Sequence, residues 1–284
     1  MLKQLRFTLR HGLRLLVYGT IGAVLTLVTV LVQNLENRDD LEVWHRADLD
    51  QEFTAESGLS SFSEYLELED RLFRQLDELV YQKTGPADTD RINRYKRNSL
   101  SDPERWPRNW NRSYELPLGA PRASVLLLHG LSDSPYSLHS LALRLNENDL
   151  HVLGLRAPGH GTAPSGLVNV TWQDMAAAVR LAMLHLAEQH GDRPIHIVGY
   201  SNGATLAVQY ALSTLDDPTL PPVDSLVLLS PGIGITPVAA LAIWQARLGR
   251  LLGLEKLAWN SILPEYDPYK YGSFAINAGN LSYR

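Results

Sequence analysis

Pro194-Ile195-His196-Ile197-Val198-Gly199-Tyr200-Ser201-Asn202-Gly203-Ala204-Thr205-Leu206 is the stretch on which the reading of this chain turns. Ile195, Ile197 and Val198 predict a β-strand, which gives way at Gly199 to a serine flanked by glycines. A helical apolar pattern follows through Leu206, Ala207, Tyr210 and Ala211. Strand, sharp turn and helix around the spelling G-x-S-x-G describe a nucleophile elbow. A serine in so tight a corner holds its hydroxyl clear of the sheet, and a side chain at Gly199 or Gly203 would meet neighbouring backbone. The corner also aims the first N–H groups of the next helix at an oxyanion forming on an attacked carbon. Ser201 is therefore the candidate nucleophile.

Working outward, Ala123-Ser124-Val125-Leu126-Leu127-Leu128 is an apolar run of the kind buried on both faces of a parallel sheet, and it ends in His129-Gly130-Leu131. An edge strand is expected at Ser113–Leu116, and a further strand at His151–Leu155 ends in Arg156-Ala157-Pro158-Gly159-His160-Gly161. Helical patterns run through Leu138, Leu141, Ala142 and Leu145, and again from Trp172 to His190. After the elbow helix, Asp224–Ser230 is the last convincing strand. Strands alternating with helices predict an α/β fold with a mostly parallel sheet.

These motifs carry a family resemblance. Leu128-His129-Gly130, the loop Ala157–Gly166 with its Pro-Gly-His-Gly, and Gly199-Tyr200-Ser201-Asn202-Gly203 stand in this order, each after a strand. Over roughly residues 113–232 the chain resembles the α/β-hydrolase fold, in the branch of monoacylglycerol lipases and serine aminopeptidases. The resemblance implies Ser201 as nucleophile, with the backbone N–H groups of Leu131 and Asn202 as oxyanion hole. His129 and His160 are then the structural members of their turns, alongside Gly130, Gly199 and Gly203. The implied reaction is hydrolysis of a small ester or lipid, less readily an amide. Haloperoxidase or dehalogenase chemistry on the same fold is weaker, since a dehalogenase would want a carboxylate where Ser201 stands.

The histidines depart from the pattern. All nine, at 11, 45, 129, 139, 151, 160, 185, 190 and 196, precede Ser201. In the family the order runs Ser, then Asp or Glu, then His. Asp216, Asp217, Asp224 and Asp267 do not follow a suitable later strand. A serine hydroxyl without a base is a poor nucleophile. Three explanations are open: a chain that stops before the last strands, the acid and the histidine; a non-hydrolytic relative that serves as a binding or scaffold protein; or recruitment of His129 or His160. The expectation taken forward is the first, with recruitment the least favoured.

Leu15 to Val32 carries no charge, and the apolar stretch over residues 13–32 is long enough to cross a bilayer as a helix. Lys3, Arg6, Arg10 and Arg14 precede it; Glu36, Asp39, Asp40 and Glu42 follow, against Arg38 alone. The positive-inside rule puts the N-terminus in the cytoplasm and the remainder outside, as a single-pass protein. A cleaved signal peptide is the rival, but no small-x-small site follows the stretch. The expected organisation is residues 1–35 as cytoplasmic tip and anchor, 36–110 as tether, amphipathic helix and irregular wrap, 111–232 as hydrolase core, and 233–284 as a helical, lid-like segment. Ser61 with Glu64 predicts a capping box for the amphipathic helix, whose stripe from Phe62 to Val80 suits packing on the core.

A net charge of −5 and a pI near 6 argue against a nucleic-acid partner. The absence of cysteine removes disulfides, thiolate catalysis and cysteine-ligated zinc. No metal or organic cofactor is implied, because His185 and His190, five residues apart on one helix, are expected on different faces.

Overall fold

A computed structural model describes residues 2–84, 92–233 and 254–281. The chain divides into two units, Met1–Asp40 and Leu41–Arg284. The first is a single helix, α1 (Leu2–Glu36), whose segment Arg10–Glu36 is long and apolar enough to cross a membrane. Thr20, Thr26 and Thr29 each donate a hydroxyl hydrogen bond to the carbonyl four residues back, at 2.8, 2.9 and 2.9 Å. Polar atoms that would be costly in hydrocarbon are thereby met within the helix.

The second unit begins with α2 (Val43–Arg46) and α3 (Phe62–Leu76), which runs on into one π turn at Asp77–Tyr81. The predicted capping box is present: Ser61 Oγ accepts from the Glu64 N–H, and Glu64 Oε2 accepts from the Ser61 N–H. Then come β1 (Tyr114–Leu116), β2 (Ala123–Leu128), α4 (His139–Asn146), β3 (Leu150–Leu155), α5 (Gly166–Asn169) and α6 (Trp172–His190). They are followed by β4 (Ile195–Tyr200), α7 (Asn202–Asp216), β5 (Ser225–Leu229), β6 (Trp259–Ser261), β7 (Phe274–Ala275) and α8 (Ile276–Leu281). The main sheet has the order β1-β3-β2-β4-β5, parallel except for the antiparallel edge β1; β6 and β7 pair as a separate ribbon.

Every residue of β2 is buried, and period-two alternation shares them between two layers. Leu126, Leu128, Leu153, Leu155 and Ile197 face the core built with Met175, Ala178 and Ala182 of α6 and Leu206, Ala207 and Tyr210 of α7. Val125, Leu127, Val152 and Val198 face the layer capped by Leu138 and by Ala142 of α4. Each such aliphatic side chain contributes on the order of 2 kcal/mol by leaving water.

Two expectations need revision. In the polar stretch 33–59, read as tether, the residues from 41 onward lie on the core: Leu41 and Phe53 join the main cluster, and Trp44 and Leu49 join a second one with Leu72, Phe73 and Leu76 of α3. Apolar residues spaced too irregularly for a helix or strand can still be buried one at a time. In the lid-like segment, Val238, Leu241, Ala242, Trp244, Ala246, Leu248, Leu251 and Leu252 lie outside the described residues. From residue 254 onward the chain forms a short 3₁₀ turn, the β6–β7 ribbon and α8, with Trp259 and Tyr271 in the main core rather than on a helical lid. Beyond β4 the sheet ends, among the described strands, at β5, where Val227, Leu228 and Leu229 are exposed.

Candidate active site

The candidate site sits where β2, β3 and β4 release the chain at their carboxyl ends. Leu128 is the register partner of Gly199, so the His-Gly turn and the elbow leave the sheet side by side. Ser201 adopts φ 52° and ψ −113°, a conformation that an L-residue holds only under constraint. The constraint is visible. The Ser201 N–H donates to the Leu229 carbonyl at 2.9 Å, and the Ser201 carbonyl accepts from Ala204 and Gly232 at 3.1 and 3.2 Å.

The flanking glycines are required by contact. A Cβ on Gly199 would lie 2.5 Å from the backbone of Ala204, and one on Gly203 would fall on the carbonyls of Leu128 and His129. The N-terminus of α7 is thus seated against the start of the His-Gly turn. The Asn202 side chain points inward, its Nδ2 donating to Met175 Sδ at 3.7 Å, so its backbone rather than its amide serves the corner. Ser201 itself is half-buried, and among the described residues no side chain is hydrogen-bonded to its hydroxyl.

Both motif histidines are buried, and they touch edge to face with ring centroids 5.0 Å apart. His129 Nε2 accepts from the Ala157 N–H at 3.1 Å, which leaves Nδ1–H to donate to the Gly130 carbonyl at 2.9 Å. His160 Nδ1–H donates to the Pro158 carbonyl at 2.9 Å. Burial lowers His129 to about 4. Burial, and then the neighbouring His129, lower His160 to about 3. Both rings are neutral cross-braces between the turn after β2 and the loop after β3. Neither is bonded to Ser201.

The next layer was not legible in the sequence. Arg156 is buried at the end of β3 and bound on two sides. Its two terminal nitrogens meet the Glu52 carboxylate at 3.0 and 2.9 Å, and its Nε meets Glu69 at 2.9 Å. Glu52 also accepts from the Gly159 N–H at 2.9 Å, and Arg156 donates to the His160 carbonyl at 3.0 Å. Burial opposes the charge on Arg156, but Glu52, Tyr65 and Glu69 outweigh it and hold the guanidinium protonated. Tyr271 ties the same loop to the His-Gly turn: its hydroxyl accepts from the Thr162 N–H at 2.9 Å, and its own N–H donates to the Ser132 carbonyl at 2.9 Å. Glu52 stands in a polar stretch with no motif, so only its position after folding reveals it.

The other acids discussed from sequence do local work. Asp217 caps Thr219, Asp224 Oδ2 accepts from the Ile195 N–H, and Asp267 accepts from the N–H groups of Tyr269 and Lys270. His185 and His190 are linked through residues of neighbouring strands. His185 and His151 both meet Glu115 Oε1, at 3.0 and 2.7 Å, and the His190 ring lies 4.3 Å from that of His151. Strand β3 supplies the residue that joins the two helix faces. Among the described residues no group of three or more side chains is arranged to hold a metal ion.

Among curated proteins no match to the chain is found. Solved structures with a similar course of chain include a metagenome-derived lipolytic enzyme at 19% identity and TM-score 0.45, covering 61% of this chain and 69% of that one. A monoacylglycerol lipase of Paleococcus ferrophilus is 19% identical with TM-score 0.44, covering 60% and 68%. A thermostable carboxyl esterase of Bacillus coagulans, solved with glycerol, is 19% identical with TM-score 0.43, covering 60% and 67%. The sequence profile described as serine aminopeptidase, S33, matches residues 119–266, which run from just before β2 past the elbow to just after β6. Matched over more than half its length, the chain belongs to the serine aminopeptidase S33 family, with the α/β-hydrolase fold.

Proposed function

We propose that this protein is a serine hydrolase acting on small carboxylic esters or lipids, with Ser201 as its nucleophile. The observation that carries the reading is the Ser201 backbone, held at φ 52° and ψ −113° between two glycines that no other residue could replace without collision. Attack by Ser201 Oγ on an ester carbonyl, with the hydroxyl proton passing to a general base and from it to the departing alcohol, would place the developing oxyanion toward the N–H groups of Asn202 and Leu131, which leave the sheet on adjacent strands. Expulsion of the alcohol would give an acyl-serine, which water then hydrolyses. His129, Gly130, Gly199, Gly203 and His160 serve as framework in this reading, and no cofactor enters it.

The apolar stretch over residues 13–32, within the helix segment Arg10–Glu36, is read as the membrane anchor, with the N-terminus cytoplasmic and the hydrolase unit outside, on the charge asymmetry around it. The organisation proposed is cytoplasmic tip and anchor over residues 1–35, the segment with the amphipathic helix over 36–110, hydrolase core over 111–232 and a C-terminal segment over 233–284.

A second reading is favoured by one observation: among the described residues no histidine is bonded to the Ser201 hydroxyl. In that reading the pocket is kept for binding, without turnover. A fluorophosphonate probe separates the two. Labelling of the full chain in detergent, lost in Ser201→Ala, supports the hydrolase. A correctly folded chain that takes up no probe and releases no p-nitrophenol from short-chain esters supports the binding protein.

A further inference from the structure

The turn after β2 is held from outside. Gly130 to Asp133 closes through the Asp133 N–H, which donates to the Gly130 carbonyl at 3.2 Å, and Ser132 within it stands at φ 64°, a left-handed backbone that favours glycine. A Cβ on Gly130 would lie 2.9 Å from Asp133 Oδ2, so the carboxylate folds back on the residue that precedes Leu131. The Asp133 side chain is 8% exposed, and among the described residues Lys270 is its one ion-pair partner, at 3.2 Å. Burial raises the Asp133 carboxyl above its ordinary value, and Lys270 opposes that rise.

Three contacts reach this turn from one distant strap, residues 263–273. Lys270 pairs with Asp133, and the Tyr271 N–H donates to the Ser132 carbonyl at 2.9 Å. The Tyr269 ring stacks on that of Tyr136, with centroids 3.8 Å apart and planes 15° from parallel. The strap is closed on itself. The buried Glu265 carboxylate accepts from the N–H groups of Gly272 and Ser273, both at 2.9 Å, and Asp267 Oδ1 accepts from those of Tyr269 and Lys270. A Cβ on Gly272 would lie 2.6 Å from the Pro264 carbonyl, so the two arms of the strap touch. A closed strap thus meets a turn that carries a left-handed serine and a buried charge. Both cost free energy unless the surroundings hold them, and a buried carboxylate stripped of its cation is the costlier.

The geometry points to Lys270 as a positioning residue for the oxyanion hole: through Asp133 it holds the turn that presents the Leu131 N–H to a carbonyl under attack. The inference rests on the hydrolase reading, in which Leu131 supplies one of the two oxyanion donors. With the ammonium gone, Asp133 turns toward water and Ser132 relaxes out of the left-handed region, which swings the peptide planes beside Leu131. Charge developing in the transition state is then met less well. Binding of the ground-state ester, which places little charge there, is unaltered.

Probe labelling, ester kinetics and amide exchange of the full chain in detergent test this in Lys270→Met, a change at an exposed position that the fold should survive. The rate of fluorophosphonate labelling at Ser201 and kcat for a short-chain p-nitrophenyl ester should both fall about tenfold with KM unchanged. That is less than the roughly 10²–10³ that loss of an oxyanion donor costs. Exchange of the Asp133 and Tyr271 amides, the donors of the two bonds that fix Ser132, should quicken about tenfold. Lys270→Arg should restore all three. Asp133→Asn combined with Lys270→Met should be no slower than the slower of its parents, because the lysine acts through the carboxylate. Wild-type kcat in Lys270→Met, a change in KM alone, or a lower melting temperature with labelling and exchange unaltered would overturn the assignment. A wild type that takes up no probe would overturn the hydrolase reading instead; exchange at Asp133 and Tyr271 needs no turnover and still decides whether Lys270 holds the turn.

Discussion

Glu52→Ala is the substitution that asks most of the structure. In the folded chain the Glu52 carboxylate closes a bidentate pair with Arg156 at 2.9 and 3.0 Å and accepts from the Gly159 N–H at 2.9 Å. Removing it strands two guanidinium N–H groups and the amides of Gly159 and Phe53 in a site where Arg156 is 1% exposed. Charge-assisted hydrogen bonds contribute roughly 1.5–3 kcal/mol each, and breaking a buried pair typically costs about 3–5 kcal/mol. Arg156 keeps Glu69, and the Glu52 side chain is 14% exposed, so water recovers part of the loss. The expected destabilisation is therefore about 2–4 kcal/mol, a large share of the 5–15 kcal/mol by which a typical domain is stable. The exposed pair Arg144–Glu147 supplies the control: Arg144→Ala should cost no more than about 0.5 kcal/mol. Urea titration of the full chain in detergent measures both, and amide hydrogen exchange across residues 157–161 reports the loop itself. The reasoning fails if Glu52→Ala melts with the wild type, or if it loses stability while exchange at Gly159 is unaltered.

Three further outcomes follow from the same geometry. His129 and His160 sit at about 4 and about 3 in the folded chain against 6.5 when exposed, so below pH 6.5 the unfolded chain binds protons that the folded one refuses. Their stabilisation is complete above that value and drains away toward pH 4. Between pH 7 and pH 5 the two rings together should cost about 4 kcal/mol, and a flat urea midpoint over that interval would refute the assignment of both as neutral. Ser201→Gly relieves the left-handed backbone at φ 52° and should raise stability by about 1 kcal/mol while abolishing probe labelling; a lower midpoint would count against the strain. Gly203→Ala drives a methyl group into the carbonyls of Leu128 and His129 and should lower stability by more than about 2 kcal/mol, read as a drop in the urea midpoint.

The elbow was legible from residues 194–206 because strand, turn and helix are local, and because glycine on both sides of a serine answers a local steric demand. The continuous apolar run at Ala123–Leu128 likewise marked an interior strand, since burial on both faces leaves no polar alternation. The long helix from Trp172 and the capping box at Ser61 and Glu64 are settled within one or two turns of chain, and they appear where their patterns predict them.

Tertiary structure alone decided the rest. Glu52 and Arg156 are 104 residues apart, and no spacing rule joins a carboxylate in a polar, unpatterned stretch to a guanidinium at a strand end. Residues 33–59 read as tether because the stretch is polar and its few apolar side chains follow no period, yet Leu41, Trp44, Leu49 and Phe53 are all buried against distant elements. His185 and His190 belong to one helix five residues apart and are linked only by other elements, His185 through Glu115 and His190 through His151, which share a hydrogen bond across β1 and β3. Local chemistry writes the turn that presents Ser201. Long-range packing chooses the partners that brace it, because the charge and shape those partners must satisfy exist only once the sheet has assembled.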